Sequence, residues 1–250
     1  MIQEKVYVYA DLPRTGLCNM LFTWARAALY ARDHGLQMIA PNWVKINRIG
    51  PWLRGERDKR YYFHQFTNEG YVEGIRKWVV LNFQRENAVV FQGMGEYFKD
   101  ISGEHEFLKN ELERITDSSI LSKVRALPSK FIGVHIRLGD FASIGLALPM
   151  DYYLRGIRKA RQIAGDDIPV LVFSDGREDE LSQISGLGNV VVMKPAPALQ
   201  DMLSLSKATV LVGTNNSTFS GWAAFLGQMP NIWNVDKKYP VIGLGETLYV

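Results

Sequence analysis

Arg137 follows directly on the apolar run Phe131, Ile132, Gly133, Val134, inside the hexapeptide His135, Ile136, Arg137, Leu138, Gly139, Asp140. A buried strand that delivers a guanidinium to its carboxyl-end loop places a permanent cation where open α/β sheets bind their ligands. Its planar fork grips two phosphate oxygens at once, which a lysine cannot do. The second chemical element is the stretch Gly213, Thr214, Asn215, Asn216, Ser217, Thr218, Phe219, Ser220, Gly221, Trp222. Small polar residues there leave a strand and enter an apolar helix, so that N–H groups and the positive end of the helix dipole face a crevice. Ser217 or Thr218 also reads as an ordinary N-cap, and a capped helix start keeps spare donors. A strand-end cation and a helix start on one crevice make a cradle for a diphosphate.

The elements that must position these groups are legible in the periodicity. Val6, Tyr7, Val8, Tyr9 form a first strand, and residues 19–34 a helix in which Leu21, Phe22, Ala25, Ala28 and Leu29 recur at helical spacing. Gly35 closes that helix in the left-handed conformation, and a second strand over 37–40 stops at Pro41. Val89, Val90, Phe91 form a strand and residues 104–124 a helical region. The break at Leu127, Pro128, Ser129 divides the chain into domains 1–128 and 129–250. In the second, strands over 131–136, 170–174, 190–193 and 209–212 alternate with helical segments beginning near Asp151, Glu178, Ala198 and Thr218. A short last strand includes Ile232 and Trp233. This spacing predicts right-handed βαβ crossovers and a doubly wound parallel sheet. The loops after Ile136, Phe173 and Val212 then carry Arg137, Ser174 with Asp175, and Asn215 to Ser220 toward a common crevice.

Bulk composition bounds the rest. The 250 residues are 47% hydrophobic and 22% charged, enough for a substantial core in one large or two small domains. The net charge of +3 by itself argues neither for nor against nucleic acid, and no nucleic-acid partner is expected. Cys18 is the only cysteine, the N-terminus enters a strand without a secretion signal's apolar core, and no apolar stretch approaches the roughly 20 residues of a membrane span. A cytoplasmic protein is the expectation. Residues 45–60 carry Lys45, Arg48, Arg54, Arg57, Lys59 and Arg60, a basic, aromatic segment that is either solvated surface or a contact for nucleic acid, sugars or anionic headgroups, the last a weak attachment to the inner face of the membrane. His34, His64 and His105 occur singly and have no metal-ligand spacing.

Three segments resemble those of the bacterial α-1,2-fucosyltransferases and related GDP-fucose-dependent enzymes, in the family's order. They are Thr15, Gly16, Leu17, Cys18, Asn19, Met20, Leu21, Phe22; the hexapeptide 135–140; and Asn216, Ser217, Thr218, Phe219, Ser220, Gly221, Trp222. Weaker likenesses lie between them: Asp151, Tyr152, Tyr153, then Phe173, Ser174, Asp175, and Asp201 ahead of 203–208. The resemblance implies an α/β fold of the GT-B type, two Rossmann-like domains facing a cleft. It implies inverting transfer of a sugar, fucose above all, from a GDP-sugar to a glycan or lipid-linked oligosaccharide in surface polysaccharide synthesis. Arg137 is then the catalytic cation on the diphosphate. The nucleotide-sugar site comprises His135, Arg137, Ser174, Asp175, Asp201, Asn216, Ser217, Thr218, Phe219 and Ser220. Arg14, Gly16 and Asn19 belong to the N-terminal loop, with Gly16 allowing close backbone approach and Asn19 either capping the helix or binding a ligand.

Negative charge grows on the β-phosphate as GDP leaves, and a fixed guanidinium with a helix N-terminus stabilises it. No metal or other cofactor is expected, and the sequence has no DxD pair of the kind that holds a divalent ion on a sugar nucleotide. Asp201 can accept from the guanine N1 and N2 donors or cap its helix. Asp11 and Asp175 are the candidate general bases, both at strand ends. Leu138 stands where a second arginine is frequent in the family, and Gly176 where a second aspartate is. Those departures leave open a transferase for another GDP-sugar, a nucleotide-sugar isomerase or hydrolase, and a non-catalytic sugar-nucleotide-binding subunit.

Overall fold

The computed structural model describes residues 5–44, 62–235 and 243–250; the basic segment 45–60 lies outside them. The chain divides into two compact units, which in described residues are 5–44 with 62–118, and 119–235 with 243–250. Among the described residues no helix is long and apolar enough to cross a membrane.

In the first unit β1 (Tyr7–Ala10) is buried at every position and pairs in parallel with both β2 (Gln37–Ile39) and β3 (Ala88–Phe91). Between β1 and β2 runs α1 (Leu17–His34), whose buried Met20, Leu21, Trp24, Ala25 and Ala28 lie at helical spacing. Gly35 ends it at φ 65°, where glycine costs least, and Leu36 N–H returns to the Ala31 carbonyl. The unit also holds α2 (Gly74–Phe83), which the periodicity does not reveal because much of its outward surface is apolar. The helical region at 104–124 is two helices, α3 (His105–Arg114) in this unit and α4 (Ser118–Arg125), which opens the second. They are separated at Thr116, whose hydroxyl donates back to the Leu112 carbonyl.

In the second unit six parallel strands stand in the order β6-β5-β4-β7-β8-β9. From β4 (Ile132–Ile136) the chain passes through α5 (Gly139–Ser143) and α6 (Met150–Ala164) to β5 (Val170–Ser174). A single turn, α7 (Ser182–Ser185), replaces the longer helix expected from Glu178, and β6 (Val190–Val192) ends that half. The chain returns through α8 (Ala198–Leu205) to β7 (Val210–Val212), then through α9 (Thr218–Gly227) to β8 (Asn231–Trp233). A further strand, β9 (Thr247–Tyr249), extends the sheet beyond the last one expected. Strand order therefore reverses between β4 and β7, and the carboxyl ends at such a reversal border the ligand crevice of open α/β sheets.

The two faces of β4 are sorted by the strand's period of two. Ile132, Val134 and Ile136 pack with Tyr152, Tyr153, Ile157 and Ala160 of α6. Gly133 lies on the other face, where an added Cβ would sit 2.9 Å from the Ala208 side chain and 3.1 Å from that of Leu205. His135, two residues on, shares that face and meets the start of α9.

Candidate functional site

Thr214, just past β7, holds the strand reversal together. Its hydroxyl donates to the His135 carbonyl at 2.7 Å and accepts from Arg137 N–H at 3.2 Å. With that proton committed, the 2.7 Å contact to Tyr153 makes the phenol the donor. One hydroxyl thus fills its donor and both lone pairs with β4, the loop after it and α6. Burial raises the phenols of Tyr152 and Tyr153, keeping both protonated as donors. Tyr152 donates to the carbonyls of Gly213 (2.7 Å) and Ile232 (2.9 Å), tying α6 to the ends of β7 and β8. The Thr214→Val variant keeps the shape and removes the three hydrogen bonds of this hydroxyl, so it is expected to lower folding stability by about 1–3 kcal/mol in urea denaturation.

Past this joint the guanidinium of Arg137 pairs with Asp175 at 3.0 Å, the two side chains being 21% and 14% exposed. The same carboxylate accepts from Leu138 N–H at 2.8 Å and Gly139 N–H at 3.2 Å. Asp175 is therefore the anchor of the loop that carries Arg137. Gly139 is required by this approach, since a Cβ there would lie 2.4 Å from the Asp175 carboxylate. Ser174 accepts from Gly176 N–H at 2.9 Å and closes the turn after β5. The expectation that Ser174 and Asp175 sit beside Arg137 thus acquires a specific form: their side chains bind the loops themselves.

The start of α9 is built in the same manner. Ser217 is its N-cap, accepting from Ser220 N–H at 3.5 Å, while Gly221 N–H goes to the Ser217 carbonyl. The Ser220 hydroxyl accepts from Thr214 N–H at 3.0 Å and lies 2.7 Å from His135 Nδ1. Phe219 stacks on the His135 ring, centroids 4.8 Å apart. Buried there near Arg137, His135 has its pKa lowered to about 3 and stays neutral. His135 and Ser220 accordingly position the helix start. Asn216, exposed at φ 59°, and the half-buried Thr218 and Phe219 form its outward edge. Asn215, buried, donates to the Asn234 carbonyl and accepts from Asn234 N–H, both at 2.9 Å, which fixes the preceding loop.

Asp201 lies at the fourth position of α8 and is not its N-cap, a place held by Pro197 without a side-chain hydrogen bond. Burial pushes its carboxyl up to about 7, opposed by a hydrogen bond from the Ala196 amide. In the first unit Asn19 is inside α1, not its cap: Gly16 occupies the cap, with φ −64° and no side-chain bond. An added Cβ on Gly16 meets nothing within 4 Å, and Arg14 is exposed. Asp11 accepts from the Gln92 amide at 2.9 Å. Among the described residues no three His, Cys, Asp or Glu side chains group as a metal site.

The structure brings together His135, Arg137, Ser174, Asp175 and residues 216–220 around the carboxyl ends of β4, β5 and β7. Sequence reasoning brought Asn215 to the crevice but missed the part that Thr214, Tyr152, Tyr153 and Asn215 play in bonding its loops together. A polar run leaving an apolar strand, and two tyrosines opening the next helix, were the available signals.

No protein-family model matches the sequence. Solved structures with the same fold include NodZ α-1,6-fucosyltransferase crystallised with GDP, at TM-score 0.64 and 19% identity over 94% of this chain and 97% of that one. POFUT1 in complex with GDP aligns at TM-score 0.56 and 13% identity, over 100% of this chain and 98% of that one. NodZ has also been solved after soaking with GDP-fucose, at TM-score 0.60 and 19% identity over 89% and 93% of the two chains. These likenesses define the class of fold, parallel α/β as in the GT-B fucosyltransferases. In sequence, the chain is similar to the O-antigen biosynthesis glycosyltransferase WbnK of Escherichia coli, 30% identical over 124 residues. That match takes in 46% of this chain and 40% of the length of the curated relative.

Proposed function

We propose that the protein is an inverting, metal-independent glycosyltransferase that moves fucose from GDP-fucose to a hydroxyl of a glycan acceptor in surface polysaccharide synthesis. The observation that carries this reading is the joint at the strand reversal, where Thr214 ties the loop bearing Arg137 to the loop that leads into α9. In the two-domain GT-B arrangement of this proposal, the diphosphate lies against Arg137 and the outward edge at 216–219. An acceptor hydroxyl attacks the anomeric carbon as GDP departs, and the guanidinium and helix dipole take up the charge on the β-phosphate. Loop and helix are fixed before the ligand arrives, so little reorganisation accompanies the reaction. The α-1,2 linkage follows the motif resemblance and the cytoplasmic setting the single cysteine, with the acceptor carried on a lipid. The likeness to the WbnK segment and to fucosyltransferase folds solved with GDP supports the class of donor. Thermal unfolding with GDP, UDP, ADP and phosphate tests it, since a ligand at 100 times its Kd stabilises by about 2.7 kcal/mol. Selective stabilisation by GDP, followed by transfer from GDP-fucose to a glycan, is the expected result.

Asp201 is the residue assigned to guanine. An aspartate raised from 3.8 to about 7 keeps its proton in the folded chain over a range where the unfolded chain has lost it. Its contribution to stability therefore falls as pH rises across that interval. His135, lowered from 6.5 to about 3, acts in the opposite direction, adding stability as pH rises between those values. Subtracting the two proteins isolates the aspartate: Asp201→Asn is expected to equal the parent near pH 4 and to gain on it up to about pH 7 in chemical denaturation. Guanine donors favour the ionised carboxylate, so GDP binding near pH 6 is expected to release a proton from the parent and not from the variant. Calorimetry in buffers of different ionisation enthalpy measures that difference.

A further inference from the structure

We infer that α2 (Gly74–Phe83) is an interfacial helix that seats the protein on an anionic phospholipid surface. A helix lying on a globular unit ordinarily turns charge outward. Here Val80, 1% exposed, faces the core with β1 and β3, while Ile75 is 83%, Trp78 57% and Phe83 67% exposed. At about 3.6 residues per turn, Ile75, Trp78, Val79 and Phe83 share the side opposite Val80 and Leu81, with Asn82 as the polar residue among them. The Trp78 and Phe83 rings meet edge to face, centroids 5.1 Å apart, so the two form one aromatic surface.

The charges identify the occupant. From Gly74 to Phe83 the helix has Arg76 and Lys77 and no acidic residue. Arg76, at one edge of the apolar side, donates to the Tyr7 hydroxyl at 2.9 Å, while Lys77 stands on the core-facing side and donates to the Asn42 side chain at 2.7 Å. Arg85 follows, exposed. The nearest acids are Glu73, which accepts from Asn68, and Glu86, both beyond the helix ends. An apolar aromatic side with Arg76 at one edge and the exposed Arg85 just past its end matches the boundary between acyl chains and anionic headgroups, where tryptophan and phenylalanine sit shallowly and basic side chains reach phosphate. The inference stands apart from the basic segment at 45–60 and from the transferase reading.

The test is sedimentation of the whole protein with vesicles of pure phosphatidylcholine or of equimolar phosphatidylcholine and phosphatidylglycerol. Binding to the anionic vesicles alone, weakened by salt, is expected. The variant Ile75→Ser with Phe83→Ser alters exposed side chains, so it is expected to keep the parent melting temperature while losing at least about tenfold in partitioning. Trp24, Trp43, Trp222 and Trp233 are buried and Trp52 lies outside the described residues, so the part of the quenching by acyl-brominated lipid that Trp78→Phe abolishes is what reports on this helix. Equal binding by parent and double variant, or no binding by the parent, overturns the inference. So does a parent dimer in ultracentrifugation that the double variant abolishes without any vesicle binding, which assigns the face to a second copy of the chain.

Discussion

Replacing Arg137 with alanine is expected to reduce transfer from GDP-fucose by about 100- to 1,000-fold, the range seen when one preorganised stabiliser of developing negative charge is removed. The fold is expected to survive, because Asp175 retains Leu138 N–H and Gly139 N–H as partners when the guanidinium is gone. Lysine at this position keeps a charge but not the two-pronged geometry, and is expected to fall between parent and alanine. Calorimetric titration with GDP provides the reading that activity alone does not. Weaker binding in Arg137→Ala at an unchanged melting temperature locates the guanidinium on the diphosphate, whereas equal affinity removes it from that role.

Asp175 supplies the second large effect and separates two roles that the sequence allowed it. As the anchor of the loop after β4, it works by accepting from two amides and pairing with Arg137. Asp175→Asn retains one acceptor oxygen for the amides, so an anchoring role predicts a loss of about tenfold, and Asp175→Ala, which leaves those donors unpaired, about a hundredfold. A general base behaves otherwise. Asparagine cannot take the acceptor proton, and the two variants would then fall together by about 100- to 10,000-fold. Initial rates of the two variants at saturating GDP-fucose distinguish the roles, and a graded loss is the expected outcome.

The parallel sheet was legible because buried parallel strands read as apolar runs: Val134 and Ile136 need hydrophobic neighbours on one face, while Gly133 gives the other face room for Ala208. Gly35 was equally readable, since a left-handed helix end needs little beyond a glycine. Local rules failed where the partner is distant in sequence. Asn19 resembles a cap, yet α1 begins at Leu17 with its hydrophobic face already buried. The largely apolar outward side of α2 defeats the periodicity that reveals an amphipathic helix.

The sequence by itself determined that a guanidinium ends one strand and that a small polar turn opens a helix after another, because strand period and helix-start chemistry are written in adjacent residues. Only the tertiary structure decided that these ends lie side by side. It takes the pairing of β4 with β7, where strand order reverses, to bring Thr214 within reach of Arg137 N–H, and the pairing of β4 with β5 to close Asp175 on the loop after β4. Such pairings join positions far apart in the chain, and their geometry exists only once the sheet has formed and the helices have packed on both of its faces.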